Sequence, residues 1–151
     1  MLKCINVSAR EIAKLTELPK GWVCISINEE HENYYPLGFD AGQKDDRVLR
    51  VKFSDVTVKV DNLYKGNTFN PIDENTANII FRFVKENKDQ NFLVHCAGGV
   101  SRSSAVCLFI HFSYGHEIKE NFWATSQPNK LVLGALLITK LYSESNDGCG
   151  I

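Results

Sequence analysis

The chain turns on Phe92-Leu93-Val94-His95-Cys96-Ala97-Gly98-Gly99-Val100-Ser101-Arg102-Ser103-Ser104. Phe92, Leu93 and Val94 make a short apolar run of the kind that forms a buried strand. His95 and Cys96 follow, then a small turn with two glycines, then Arg102 and Ser103 at the head of an apolar helix. Strand, tight loop and helix N-terminus together bind anions, because the loop's N–H groups converge and the helix dipole adds positive potential. A cysteine at the entrance and an arginine beyond the loop predict a nucleophile aimed at a bound phosphate.

Outward from this stretch, the next helix carries Ala105, Leu108, Phe109 and Phe112 on one face and ends at Gly115, a C′ residue. Upstream, Asn70-Pro71-Ile72-Asp73 reads as N-cap, proline at N1 and an acid in the first turn. It predicts a helix over residues 72–85 that turns Ala77, Ile80, Phe81 and Val84 to the core. Residues 22–27 read as a buried strand, and residues 48–53 alternate as a second one, with Asp55 where the chain leaves the sheet. Residues 2–7 read as a strand, followed by a helix capped by Ser8 and Glu11, lined by Ile12 and Leu15, and ended by Pro19 and Gly21. Residues 28–46 are polar and read as a long surface loop, where Tyr34 and Tyr35 either rim a site or pack down the loop. Residues 56–70 fit either a strand or an extended loop. Downstream, residues 117–125 read as an amphipathic helix through Ile118 and Phe122. Pro128 opens a last helix, apolar almost all round through Leu131, Val132, Ala135, Leu136, Ile138 and Leu141, that frays from Ser143. Early strands alternating with helices, then three helices in a row, predict an α/β fold. A central, mostly parallel sheet is flanked by helices, with the phosphate-binding loop between a central strand and a helix, in one domain over residues 1–151.

Composition narrows the functions. A chain of 151 residues holds a full core, and a net charge of −1 argues against broad binding to nucleic acid or an acidic membrane surface. The five cysteines (Cys4, Cys24, Cys96, Cys107 and Cys149) are odd in number and scattered, with no metal-ligand spacing. With no signal peptide and no apolar run of membrane-spanning length, the expectation is free thiols in a reducing, cytoplasmic setting. His31, His111 and His116 show no ligand pattern, so neither a metal nor a cofactor is expected.

Phosphoryl chemistry accounts for the loop residue by residue. A thiolate forms more readily at a helix N-terminus beside a cation, and the amides of Ala97, Gly98, Gly99, Val100, Ser101 and Arg102 and the Arg102 guanidinium supply both. Arginine grips two phosphate oxygens in a planar fork. Gly98 and Gly99 permit close approach. Ser103 stands where its hydroxyl can bond the cysteine sulfur, Ser101 helps shape the loop, and His95 orients it through its ring rather than acting as a base.

The run from His95 to Ser103 resembles the signature of the cysteine-based protein tyrosine phosphatases: His-Cys, five residues, Arg, then Ser or Thr. Its Gly-Val-Ser-Arg-Ser ending is most similar to the dual-specificity branch, in the compact form found in bacteria and phages. The resemblance spans about residues 20–142. It implies that Asp55 is the general acid, with Asp61 as rival and Asp45 and Asp46 as outsiders. It also implies that Asn129, after Pro128, bonds the phosphate loop or its strand, though a plain helix-start role fits Asn129 equally. The implied activity is hydrolysis of phosphotyrosine, and of phosphoserine or phosphothreonine, on protein substrates. Two alternatives stand beside it. One is a phosphatase of phosphoinositides or RNA 5′ ends, against which the lysine-free loop argues. The other is a phosphate-binding module without turnover. Cys24 or Cys107 either pairs with an oxidised Cys96 or is an ordinary core cysteine.

Overall fold

The computed structural model describes residues 1–39, 45–58, 60–62 and 67–149. Strands β1 (Lys3–Ser8), β2 (Trp22–Asn28), β3 (Val48–Lys52), β6 (Asn91–Cys96) and β7 (Glu117–Ile118) form one five-stranded sheet in the order β3-β2-β6-β1-β7. Every pairing in it is parallel. Strands β4 (Val60–Asn62) and β5 (Asn67–Phe69) make a separate antiparallel pair within the span whose sequence was ambiguous. Helices α1 (Ala9–Ala13), α2 (Glu74–Glu86), α3 (Arg102–Tyr114), α4 (Phe122–Thr125) and α5 (Lys130–Cys149) complete the fold.

The two-residue period of the strands sorts their side chains into two cores. Ile25, Ile27, Val51, Phe92 and Val94 join Ile80, Val84, Val106, Phe109, Val132 and Leu136 of α2, α3 and α5 in the larger one. Cys24 and Leu93 face the other way and meet Ile12 of α1, Leu18 and Leu37. Both faces of β6 are therefore covered, as a parallel sheet requires. Because the strands are parallel, all their C-terminal ends lie at one edge, and α3 starts there.

Several local expectations gave way to tertiary contacts. Ser8 and Glu11 do form the capping box, but α1 stops at Ala13, well before Pro19. Gly38 passes so close to its end that a Cβ there would lie 2.6 Å from the Ala13 carbonyl oxygen. Leu15 thus falls outside the helix and is exposed. Asp73, not Asn70, caps α2, accepting from the Thr76 N–H at 2.7 Å. The Asn70 N–H donates to Glu30 Oε1 at 2.6 Å, and its carbonyl, which an N-cap would offer to the first helical N–H, accepts from the Ser54 N–H at 2.9 Å, which keeps Asn70 and Pro71 outside the helix. Residues 117–125 are not one helix. Glu117 and Ile118 pair with the open edge of β1, and only Phe122–Thr125 coils. Phe112 leaves the core face of α3 and is 59% exposed. The last helix begins at Lys130 and runs on past Ser143, with Val132 and Leu136 buried but Ile138 and Leu141 open to solvent.

Candidate active site

Cys96 is the last residue of β6 and Arg102 the first of α3, so the loop between them lies at the C-terminal edge of the sheet. Both are buried. The loop's carbonyls are held almost one by one. The Ala97 oxygen accepts from the Ala9 N–H at 3.0 Å, and the Gly99 oxygen from Asn6 Nδ2 at 2.7 Å. The Val100 oxygen accepts from the Gln127 N–H at 2.9 Å and from Ser104 Oγ. The Ser101 oxygen accepts from the N–H groups of Asn129 and Ala105, both at 3.1 Å, and from Ser104 Oγ. In a planar trans peptide the C=O and the next N–H point opposite ways. Tying these carbonyls to the scaffold therefore turns the N–H groups of Gly98, Val100, Ser101 and Arg102 to the other side. Among the described residues no acceptor takes an N–H of residues 97–102.

The two glycines are not equivalent. Gly99 has φ +71°, and a Cβ on it would lie 2.5 Å from the Val7 carbonyl carbon. Gly98 has room: the nearest atom to a Cβ there is Val100 Cγ2 at 3.9 Å.

Arg102 is anchored through one end of its guanidinium. Its Nη1 donates to the Phe53 carbonyl at 2.7 Å and lies 3.6 Å from Glu29 Oε2, while its Nε is buried without a partner among the described residues. Glu29 is itself held by the Ser54 hydroxyl, which also bonds Glu30 at 3.1 Å. The arginine thus connects to the segment that carries Asp55. Cys96 Sγ and Ser103 Oγ are 3.2 Å apart, the contact that the sequence anticipated.

The exposed Asp55 comes to the loop's rim. Its Oδ1 accepts from Ser101 Oγ at 2.8 Å and from Asn129 Nδ2 at 2.9 Å. Among the described residues Asn129 meets the loop only through its backbone N–H, while its side-chain Oδ1 accepts the Leu131 and Val132 N–H groups and so caps α5. Asp45 precedes β3, at the opposite edge of the parallel sheet, where it pairs with Arg47 at 3.2 Å. Asp46 follows it there, which removes both from the site. Asp61 belongs to β4, and its side chain lies outside the described residues.

His95 is fully buried, and its bonds fix its tautomer. A carbonyl only accepts, so Nδ1 carries the proton shared with the Cys96 oxygen at 3.3 Å. Nε2 then accepts from Ser26 Oγ at 2.6 Å, and Ser26 Oγ in turn accepts from Asn28 Nδ2 at 3.2 Å. Burial, with Arg50 and Arg102 adding to it, lowers the His95 pKa to about 4 against the pull of its bond to Cys96. The ring is neutral and structural. Tyr35 packs edge-on against it, centroids 6.0 Å apart. Burial raises the Tyr35 phenol, Glu32 adding to the effect and Arg102 opposing it. Tyr34 instead lies under the Lys52 ammonium, 4.3 Å from its ring centre.

Cys107 does not face Cys96. Its thiol lies 2.7 Å from that of Cys4, whose pKa burial pushes up, with Cys107 adding to the rise. Cys24 sits in the smaller core, across the sheet. The sequence reading missed Asn6, Glu29, Ser54 and Ser104. Only Asn6 carried a signal, as a lone amide in an apolar strand.

Neither a protein-family model nor a curated protein sequence matches this chain. No described helix is long and apolar enough to cross a membrane.

Proposed function

We propose that this protein is a metal-independent phosphomonoesterase, similar in arrangement to the compact protein tyrosine and dual-specificity phosphatases, acting inside the cell on phosphotyrosine-bearing proteins. The observation that carries this reading is the inverted loop. Its carbonyls are bound outward and its amides left free around a buried cysteine, beside an arginine whose Nε has no partner among the described residues. Such an array suits the three equatorial oxygens of a transferring phosphoryl group.

In the first half-reaction the Cys96 thiolate attacks phosphorus. An S–P bond forms, the P–O bond to the leaving group breaks, and Asp55 gives that oxygen its proton. In the second half the Asp55 carboxylate takes a proton from water, whose oxygen bonds phosphorus. The S–P bond then breaks, and the Ser103 hydroxyl donates to the departing thiolate. The products are phosphate and the free phenol or alcohol. The neutral loop, with no lysine among residues 97–101, suits a singly phosphorylated side chain better than a polyphosphorylated head group.

The test is hydrolysis of p-nitrophenyl phosphate in excess chelator. Wild type is expected to turn over, and Cys96→Ser to lose about 10⁴-fold or more in kcat. Wild type that binds phosphopeptide without turnover points to the binding module. Activity that survives Cys96→Ser removes the thiol mechanism.

A further inference from the structure

Four backbone carbonyls of the loop are held by donors from outside it or from α3, but they are not held alike. Val100 and Ser101 each have more than one donor, and Ala97 is held by backbone. The Gly99 carbonyl is held by one side chain, Asn6 Nδ2, 2.7 Å away and 93 residues earlier in the chain. Asn6 is fully buried near the end of β1. Its other Nδ2 hydrogen goes to Ser126 Oγ at 3.1 Å, and its backbone carbonyl accepts from Lys119 Nζ at 3.2 Å. Its Oδ1 is buried with no partner among the described residues.

That orphan acceptor matters. A buried carbonyl without a donor is a standing cost that an apolar side chain of the same shape avoids. The side chain's own burial alone would favour leucine here, between Cys4, Ile5 and Val7 of β1. What asparagine adds are the bonds to Gly99 and Ser126, of which the first is to the loop itself. Gly99 is already pressed against Val7 and Ser8 with a positive φ, so its peptide plane has one rotation left to fix. With the carbonyl turned outward, planarity aims the Val100 N–H at the centre of the loop.

We propose that Asn6 is a positioning residue of the anion site, setting the Gly99–Val100 peptide so that the Val100 N–H serves as an oxyanion donor. This rests on the loop being a phosphate site, and the assays below separate the two. The competitive inhibition constants of orthovanadate and inorganic phosphate are measured beside Tm for wild type, Asn6→Asp, Asn6→Leu and Ser126→Ala. Asn6→Asp keeps the size but replaces the donor with an acceptor. Asn6→Leu removes the donor and the orphan oxygen together. Both are expected to weaken the oxyanions by roughly 10-fold or more, the order of one lost hydrogen bond to a charged group. Asn6→Leu exchanges the orphan Oδ1 for an unbonded Gly99 carbonyl, so the oxyanion loss is expected with Tm little changed, a combination that a merely structural role does not produce. Ser126→Ala is expected to stay within about 2-fold. If either folded Asn6 variant binds both oxyanions as wild type does, the inference is wrong while the phosphatase reading stands. If wild type itself binds neither oxyanion, both fall. Failure of both variants to fold overturns the inference in favour of a purely structural role.

Discussion

The loop after Cys96 and the segment around Asp55 meet at Ser101, yet they are built in opposite ways. The loop is buried at Cys96 and Arg102, and four of its carbonyls are bound by donors from β1, the start of α1, residues 127–129 and α3. Asp55 is an exposed carboxylate held at one oxygen by two side chains. The loop's peptide groups are thus fixed by the scaffold, whereas the Asp55 carboxylate itself is tied at one oxygen only. Preorganised donors cost no rearrangement at the moment of reaction, which is where electrostatic catalysis gains most. A proton donor has to meet leaving groups of differing shape, so a looser mount costs it less.

The strongest way to break the rigid half is Gly99→Ala. A Cβ would strike the Val7 and Ser8 backbone on a residue whose φ is already positive. Strain and displaced backbone together are expected to cost more than about 3 kcal/mol and to abolish oxyanion binding. Gly98→Ala, one position away, is expected to stay within about 0.5 kcal/mol. Urea unfolding of the pair reads both, and equal losses would show that the two glycines play one role.

A subtler way is to protonate His95. Its pKa is about 4 in the fold and roughly 6.5 in an unfolded chain, so between these values the unfolded state binds more protons. The neutral ring's contribution is therefore full above pH 6.5, falls as pH drops towards 4, and levels off below. The loss is on the order of 3 kcal/mol. Asp73, lowered chiefly by the Thr76 N–H, also loses stability in acid, so the measurement is a difference: wild type minus His95→Gln, by urea unfolding from pH 7.5 to 4. A difference that does not change with pH would mean that the ring is not neutral in the fold.

The two halves also differed in how legible they were. Residues 92–104 declared their layout because strand, loop, helix and chemistry are contiguous, and the short Cys96–Ser103 contact follows from that local geometry. Asp55 was legible once β3 was placed, because a parallel sheet puts all strand ends at one edge, and the same rule removes Asp45. Asn6 and Glu29 were not. Their partners lie 93 and 73 positions away, and a polar residue in a strand or loop has many ordinary explanations. The misread helix start at Asn70 shares that cause. Its local signal was sound, but the Ser54 N–H took the Asn70 carbonyl that would have accepted the first helical bond.

The smallest effect tests the Asp55 half. Asp55→Asn keeps an oxygen for Ser101 and Asn129 and removes only the proton. Stability is expected to change by less than about 0.5 kcal/mol. Turnover of phenyl phosphate, whose leaving group is a poor one, is expected to fall about 100-fold. A more acidic phenol needs less help, so the loss with p-nitrophenyl phosphate is expected to be several-fold smaller. That graded dependence on leaving group is the mark of a proton donor, because an aspartate that merely braced Ser101 would slow both substrates alike. Equal losses would assign Asp55 to the rigid half as a brace for the loop, and would move the search for the acid to Asp61.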